Sequence, residues 1–348
     1  MEMSKVRRAA FVFLLGSLAI MAITLVLTTD EETWRGVGSF GAWLIAALFG
    51  VMFARMLLEG LALLVLVNGT QEAKLGVWES FVLTVESYFI TQLIPLTAAG
   101  VPYQAYLLTR KGVRAGWATA VVLVKGFVPG VFFFFVIVGV VMAALFGWQG
   151  SDKSMTFLKI VGPLALLPTS VIIVMVFITI WKPRLFDRIL NAVAGFLERK
   201  LKGRASERVR ETRALMEEES HVFREALTTL GRTRRWVFVC GALLIVVAFV
   251  VEFLVAVVIL WGFGYVGSVV GPVVLQGVLK PLIAASPTPG SLAIGEGGYI
   301  GFFAAYLPAH FVGVSLVLWR LVVYFVPMFV GGALVARRVG RAVVASTR

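Results

Sequence analysis

Residues 286–303 read SPTPGSLAIGEGGYIGFF and lie between two of the most apolar stretches of the chain. A lipid-facing helix cannot carry Pro287, Pro289 and five glycines in so short a run, because the backbone groups they free would meet hydrocarbon rather than water. Such a break is tolerated only where it is buried in protein or lines a watered cavity. Pro287 and Pro289 stop an incoming helical arm, Gly290 permits a tight turn, and Ser291 can cap an outgoing arm. The outgoing arm then carries Glu296, a carboxylate at membrane depth. This stretch therefore reads as the turn of a re-entrant hairpin, and the rest of the chain is read around it.

The surrounding composition supports a membrane setting. Of 348 residues, 59% are hydrophobic and 15% charged, too little polar surface for a soluble domain of this size. Cys240, the single cysteine, excludes a disulfide framework and a dithiol redox pair. His221 and His310 stand too far apart to form a metal-ligand pair by spacing. No cofactor and no metal are expected.

The net charge of +13 is explained by position rather than by nucleic acid. Most lysines and arginines fall before residue 9, at Lys74, at 110–114, across 182–235 and after 336. That is the positive-inside pattern, and it places those segments, with both termini, in the cytoplasm at a cell membrane.

With that orientation, the chain divides as follows. Residues 1–40 hold a first transmembrane helix (about 9–28) and an outer loop. Residues 41–145 hold helix two, a re-entrant hairpin over about 79–110 broken at Pro95, Gly100 and Pro102, and helix three. Residues 146–181 hold an outer loop and helix four. Residues 182–235 carry apolar positions at helical spacing opposite basic ones, the pattern of amphipathic helices on the inner surface. Residues 236–336 hold helix five, a second hairpin over about 265–309, and helix six; 337–348 form a basic tail. The expected fold is an all-α polytopic membrane protein with six full transmembrane helices and two re-entrant hairpins. At an offset of about 194, the helix–hairpin–helix of 236–336 repeats that of 41–145 with opposite orientation. Such an inverted repeat, with broken helices near mid-membrane, is a transporter architecture.

Ionisable residues inside apolar spans are costly and mark function by default. Here they are Arg55, Glu59, Glu86, Lys125, Glu252, Lys280, Glu296 and Arg320. The offset nearly superposes Glu59 on Glu252, Glu86 on Lys280, and Lys125 on Arg320. Arg55 and Glu59, four apart, can instead neutralise one another. Lys280 can snorkel outward, and Glu86 can pair with a basic neighbour merely to hold its hairpin. Lys125, with Pro129 freeing its carbonyl, and Arg320 sit near the centres of full spans. Together with the free amides after Pro289, Gly290 and Ser291, these two cations suggest an anion site, with a phosphate as the natural guest.

Three segments carry a family resemblance. PTPGSLAIGEGGYIGFFAAY (287–306), LIPLTAAGVPYQAYLLTRKGVRAGWATAVVLVKG (93–126) and LWRLVVYFVPMFVGG (318–332) resemble the motifs of the flippase-like transmembrane region of lysylphosphatidylglycerol synthases, the multiple peptide resistance factors. The likeness covers about 40–336. Ser291 and Ala293 replace usual glycines, and Val101 and Gln104 replace the usual acidic residue and arginine. The resemblance implies lipid translocation rather than lipid synthesis, as no aminoacyltransferase domain follows helix six.

The expected function is a lipid flippase or scramblase, not an enzyme, for a phosphate-bearing lipid: a phospholipid, an aminoacylated phospholipid or a polyprenyl-phosphate lipid. The alternative is an ion-coupled transporter of a small soluble anion. A membrane-embedded transferase or phosphatase lacks a nucleophile–base pair, and a non-catalytic subunit would dock through 182–235. Expected partners are membrane lipids, with a homodimer or a lipid-modifying enzyme to be considered, and no nucleic acid.

Overall fold

The computed structural model describes residues 41–71, 73–93, 100–146, 234–286 and 293–346, with scattered positions elsewhere; side chains are described to 338. The first helix, the surface helices of 182–235, most of helix four, Pro95, Pro287, Pro289 and Gly290 lie outside the described residues.

Every regular element among the described residues is helical. In chain order they are α1 (Ala42–Thr70), α2 (Val77–Leu93), α3 (Gly100–Thr109), α4 (Ala115–Leu145), α5 (Arg235–Gly262), α6 (Val270–Ala285), α7 (Ile294–Phe303) and α8 (Ala309–Arg320). A π turn, Leu321–Phe325, follows α8 and leads into α9 (Val326–Ser346). Four stretches are long and apolar enough to cross a membrane: Ala42–Thr70, Ala115–Ala143, Arg235–Gly262 and Ala309–Arg338. Large apolar side chains such as Trp43, Phe53, Trp78, Phe135, Leu243 and Phe329 are exposed on the outside of the bundle, as lipid-facing positions are.

The two shorter pairs, α2–α3 and α6–α7, differ from these spans for a length reason. At 17 and 16 residues, their first arms reach only about 26 and 24 Å, short of a ~30 Å hydrocarbon core. Their second arms have 10 residues each. Within the first pair the arms touch closely, since a Cβ at Gly100 would meet the Thr91 side chain and the Ser87 carbonyl.

The elements recur along the chain in register. α5 begins 193 residues after α1 (42 to 235) and α6 193 after α2 (77 to 270). α7 begins 194 after α3 (100 to 294), and α8 194 after α4 (115 to 309). Even the turn closing α1 recurs: Gln71 at φ 62° and Gly264 at φ 81°, again 193 apart, both adopt left-handed backbone. Glycine is at ease there and glutamine is not. After Gln71 the chain is gripped by Asn68, whose Oδ1 accepts from Leu75 N at 2.7 Å while its Nδ2 donates to Leu75 O at 3.1 Å.

α1 and α5 form the central pair and run antiparallel. Gly69 and Leu66, late in α1, meet Val237 and Gly241, early in α5, whereas Leu44 meets Gly262 at the other end. The glycines matter because a Cβ at Gly241 or Gly262 would approach the facing leucine within 2.8 or 2.6 Å. Around this pair the packing is exchanged: α2 lies against α9, and α6 against α4. Gly331 of α9 sits on α2, 2.7 Å from Val85 O by its would-be Cβ, and Gly277 of α6 meets Val136 of α4. The main core, including Leu48, Met52, Val85, Ile137, Val255, Ile259, Val278, Phe302 and Leu316, fills the space between these helices.

Helix six runs without a break over Ala309–Arg338, but it is not α-helical throughout. Its π turn begins directly after Arg320, and π turns are single-turn insertions that re-aim side chains, often at functional sites. Nor does Ser291 cap α7: its Oγ donates to Ile283 O at 2.6 Å, back onto the end of α6, and Ala293 at φ 70° precedes α7 without a side-chain cap.

Candidate functional site

Five of the charged residues meet in one alternating chain across four helices. Lys125 of α4 stands 3.3 Å from Glu59 Oε1 of α1. Glu59 Oε2 is 2.8 Å from Arg55 Nη1, one helical turn earlier. Arg55 Nε donates to Glu252 Oε2 of α5 at 2.9 Å, and Glu252 Oε1 accepts from Lys280 of α6. The order is Lys125, Glu59, Arg55, Glu252, Lys280, with Arg55 in the middle. The local neutralisation of Arg55 by Glu59 is present, but it is one link of a longer arrangement.

Exposure is uneven along this chain. Side-chain exposure is 4% for both Arg55 and Glu252 and 7% for Lys125, against 21% for Glu59 and 18% for Lys280. Arg55 is further enclosed by Tyr88 and Phe249, whose rings lie 5.0 and 5.5 Å from its guanidinium carbon. Aromatic faces favour a desolvated cation. Arginine is suited to the centre because its fork addresses two carboxylates with different nitrogens, which the single ammonium of lysine does not.

The charges do not cancel. Three cations face two carboxylates, leaving one positive charge in surplus among the described residues. Burying charge without full compensation is expensive, so the arrangement favours a singly charged anion beside it. Gln104 of α3 extends the Lys125 end: its Oε1 accepts from Lys125 Nζ at 3.1 Å. Its Nε2 is buried with no partner among the described residues.

Arg320 and Glu296 form a second, separate group. Arg320 Nη2 is 2.8 Å from Glu296 Oε1, and both side chains are almost wholly buried. The same nitrogen lies 3.4 Å from Ser291 O, and the rings of Trp319 and Tyr324 flank the guanidinium at 5.3 Å each. A Cβ on Gly295 would collide with this guanidinium. Beside the first turn of α7, where sequence reasoning placed a phosphate, Arg320 therefore stands with Glu296 as its counter-ion.

The offset that superposes residues in sequence does not reunite them in space. Lys125 and Arg320 take different carboxylates, Glu59 and Glu296. Lys280 goes to Glu252, but Glu86 goes to Arg338 of α9, through Nε–Oε1 at 3.0 Å and Nη2–Oε2 at 2.9 Å. Glu86 therefore fastens the first hairpin to the last helix. Pro289 and Gly290 lie outside the described residues.

Sequence reasoning missed Gln104, Arg338, Tyr88 and Tyr324 as members of these groups. Gln104 carried a signal, as the neutral residue at a motif position usually held by arginine. Arg338 looked like part of a cytoplasmic tail, and only its length lets it reach back to Glu86.

The comparisons with known proteins bear on what such a membrane bundle is. A UPF0104 membrane protein of Archaeoglobus fulgidus is 25% identical over 325 residues, covering 91% of this chain and 93% of that protein. No solved structure matches the chain. The family model described as the lysylphosphatidylglycerol synthase TM region matches residues 8–331. The chain accordingly belongs to the family of the lysylphosphatidylglycerol synthase transmembrane region.

Proposed function

We propose that this protein is a lipid flippase or scramblase of the cell membrane that moves a phosphate-bearing headgroup between leaflets while the lipid tails stay in the bilayer. The observation that carries the reading is the buried chain from Lys125 to Lys280. It joins α1, α4, α5 and α6, is partly exposed at Glu59 and Lys280, and holds one more cation than carboxylates. A cluster built only for stability would gain by balancing its charges or replacing them with apolar side chains.

The architecture supports transport. α2–α3 and α6–α7 act as re-entrant hairpins entering from opposite faces, and with helices one and four they complete a six-plus-two arrangement. The antiparallel pairing of α1 with its counterpart α5, and the exchanged packing of α2–α9 and α6–α4, are what an axis in the membrane plane would generate. Inverted repeats of this kind place the site between the halves and work by rocking one against the other. Both termini then face the cytoplasm, by the positive-inside rule. The protein acts as a carrier, not an enzyme, and its partners are membrane lipids.

The test is reconstitution into vesicles carrying acyl-NBD-phosphatidylglycerol, with dithionite bleaching of the outer leaflet. Wild-type protein should make the inner-leaflet probe accessible, and Lys125→Met should slow this at least tenfold. Equal rates for the two proteins would remove the ion chain from the pathway. The same surplus charge suits a small soluble anion, so uptake of inorganic phosphate without lipid movement would favour an ion-coupled carrier instead.

A further inference from the structure

Lys125 and Gln104 form a corner with more hydrogen-bond donors than the protein uses. An ammonium has three N–H bonds and a side-chain amide two. Lys125 spends its contacts on Glu59 Oε1 at 3.3 Å and Gln104 Oε1 at 3.1 Å, which leaves one N–H. Gln104 is 4% exposed, and its Nε2 has no partner among the described residues, which leaves two more. The orientation of this amide follows from its neighbour, because Lys125 can only donate and so faces the oxygen. Beside these two buried side chains Glu59 is the most exposed member of the ion chain, so the chain opens next to the corner. Several close donors suit a group with several oxygens on one centre, and the surplus of the ion chain is a single positive charge.

We infer that Lys125 and Gln104 form the subsite for the headgroup phosphate, and that Gln104 sets its preference for a singly charged phosphodiester over a doubly charged monoester. The inference rests on the transport reading above and narrows its substrate class. A diester offsets the surplus charge. A monoester carries about −1.5 to −2 at pH 7 and would leave buried negative charge uncompensated. Gln104 contributes two donors without adding charge, and this neutrality is what fixes the balance.

The test uses the purified protein in phosphatidylcholine vesicles containing trace acyl-NBD-phosphatidylglycerol, a diester, or acyl-NBD-phosphatidic acid, a monoester. Wild-type protein should move the diester at least tenfold faster than the monoester. Gln104→Arg, which raises the surplus to two, should narrow that ratio at least tenfold. Gln104→Glu, nearly equal in volume to glutamine, removes both amide donors and the surplus, and should slow the diester at least tenfold; it decides the matter even where the arginine variant fails to fold. Diester movement at the wild-type rate in Gln104→Glu, or an unchanged ratio in folded Gln104→Arg, overturns the subsite and leaves the flippase reading standing. Inorganic phosphate uptake that Gln104→Glu abolishes, with no lipid moved by wild-type protein, supports the subsite with a soluble guest and overturns the flippase reading. Wild-type protein that moves neither lipid nor phosphate overturns both.

Discussion

Tyr88 and Tyr324 each donate a hydroxyl hydrogen bond into the other's helix. Tyr88 of α2 reaches Val323 O in the π turn at 2.9 Å, and Tyr324 of the π turn reaches Gln92 O in the last turn of α2 at 3.0 Å. The two hydroxyls tie the end of α2 to the helix that carries Arg320. Tyr88 also presents its ring to Arg55, and Tyr324 presents its ring to Arg320. The pair therefore stands between the two ion groups.

Tyr88→Phe and Tyr324→Phe should each lower stability by about 1 kcal/mol, the usual net worth of such a bond. The double variant should cost less than the sum, because both bonds fasten the same two segments. Thermal unfolding in detergent, followed by size-exclusion chromatography, reads this cycle; strict additivity would show that the two bonds act independently.

Arg55 cannot be exchanged for lysine without loss. Its Nε and Nη1 serve Glu252 and Glu59 separately, whereas an ammonium would have to reach both carboxylates from a single nitrogen. Removing the cation leaves Glu59 to Lys125 and Glu252 to Lys280, each carboxylate short of one buried partner, at about 1–3 kcal/mol for Arg55→Gln. Arg55→Lys should fall between that variant and wild type. Denaturation midpoints in detergent provide the check, and a lysine variant as stable as wild type would contradict the forked geometry.

Glu86 is buried, while Arg338 keeps 37% of its side chain exposed. Arg338→Gln should destabilise by about 1–3 kcal/mol by leaving Glu86 uncompensated, an effect moderated by solvent at the arginine. Glu86→Gln combined with Arg338→Gln should recover part of the loss, since it removes the stranded charge. The melting temperatures of the three variants test this, and a double variant worse than Arg338→Gln alone would argue against the pairing.

Ala293 holds φ at 70° and Ser291 at 57°, where a Cβ is strained. Ala293→Gly should therefore stabilise the protein by about 1 kcal/mol, partly offset by the added freedom of the unfolded chain. Ser291→Gly should gain less, because it also loses the bond from Ser291 Oγ to Ile283 O. A melting temperature lowered by Ala293→Gly would indicate that this backbone is relaxed elsewhere.

Much of the plan was legible before any coordinates. Apolar runs with few charges determine membrane-length helices because every backbone group in hydrocarbon must be satisfied within its own helix. An offset of about 194 residues is visible in the layout and in where charges fall, and the motif residues identify the family. The list of buried ionisable residues could also be written down, because their rarity in apolar spans marks them.

The sequence could not state which charge answers which, since partners such as Arg55 and Glu252 stand 197 residues apart and meet only when α1 and α5 pack antiparallel. Superposing Lys125 on Arg320 suggested one shared site, yet their helices deliver them to different carboxylates, and the turn after Arg320 is a π turn that no local propensity announces. Composition and periodicity fix what each helix is, because they act within a segment. The surplus of one charge, and the neutral amide set beside it, belong to the packing between segments, where distance rather than order along the chain decides which groups interact.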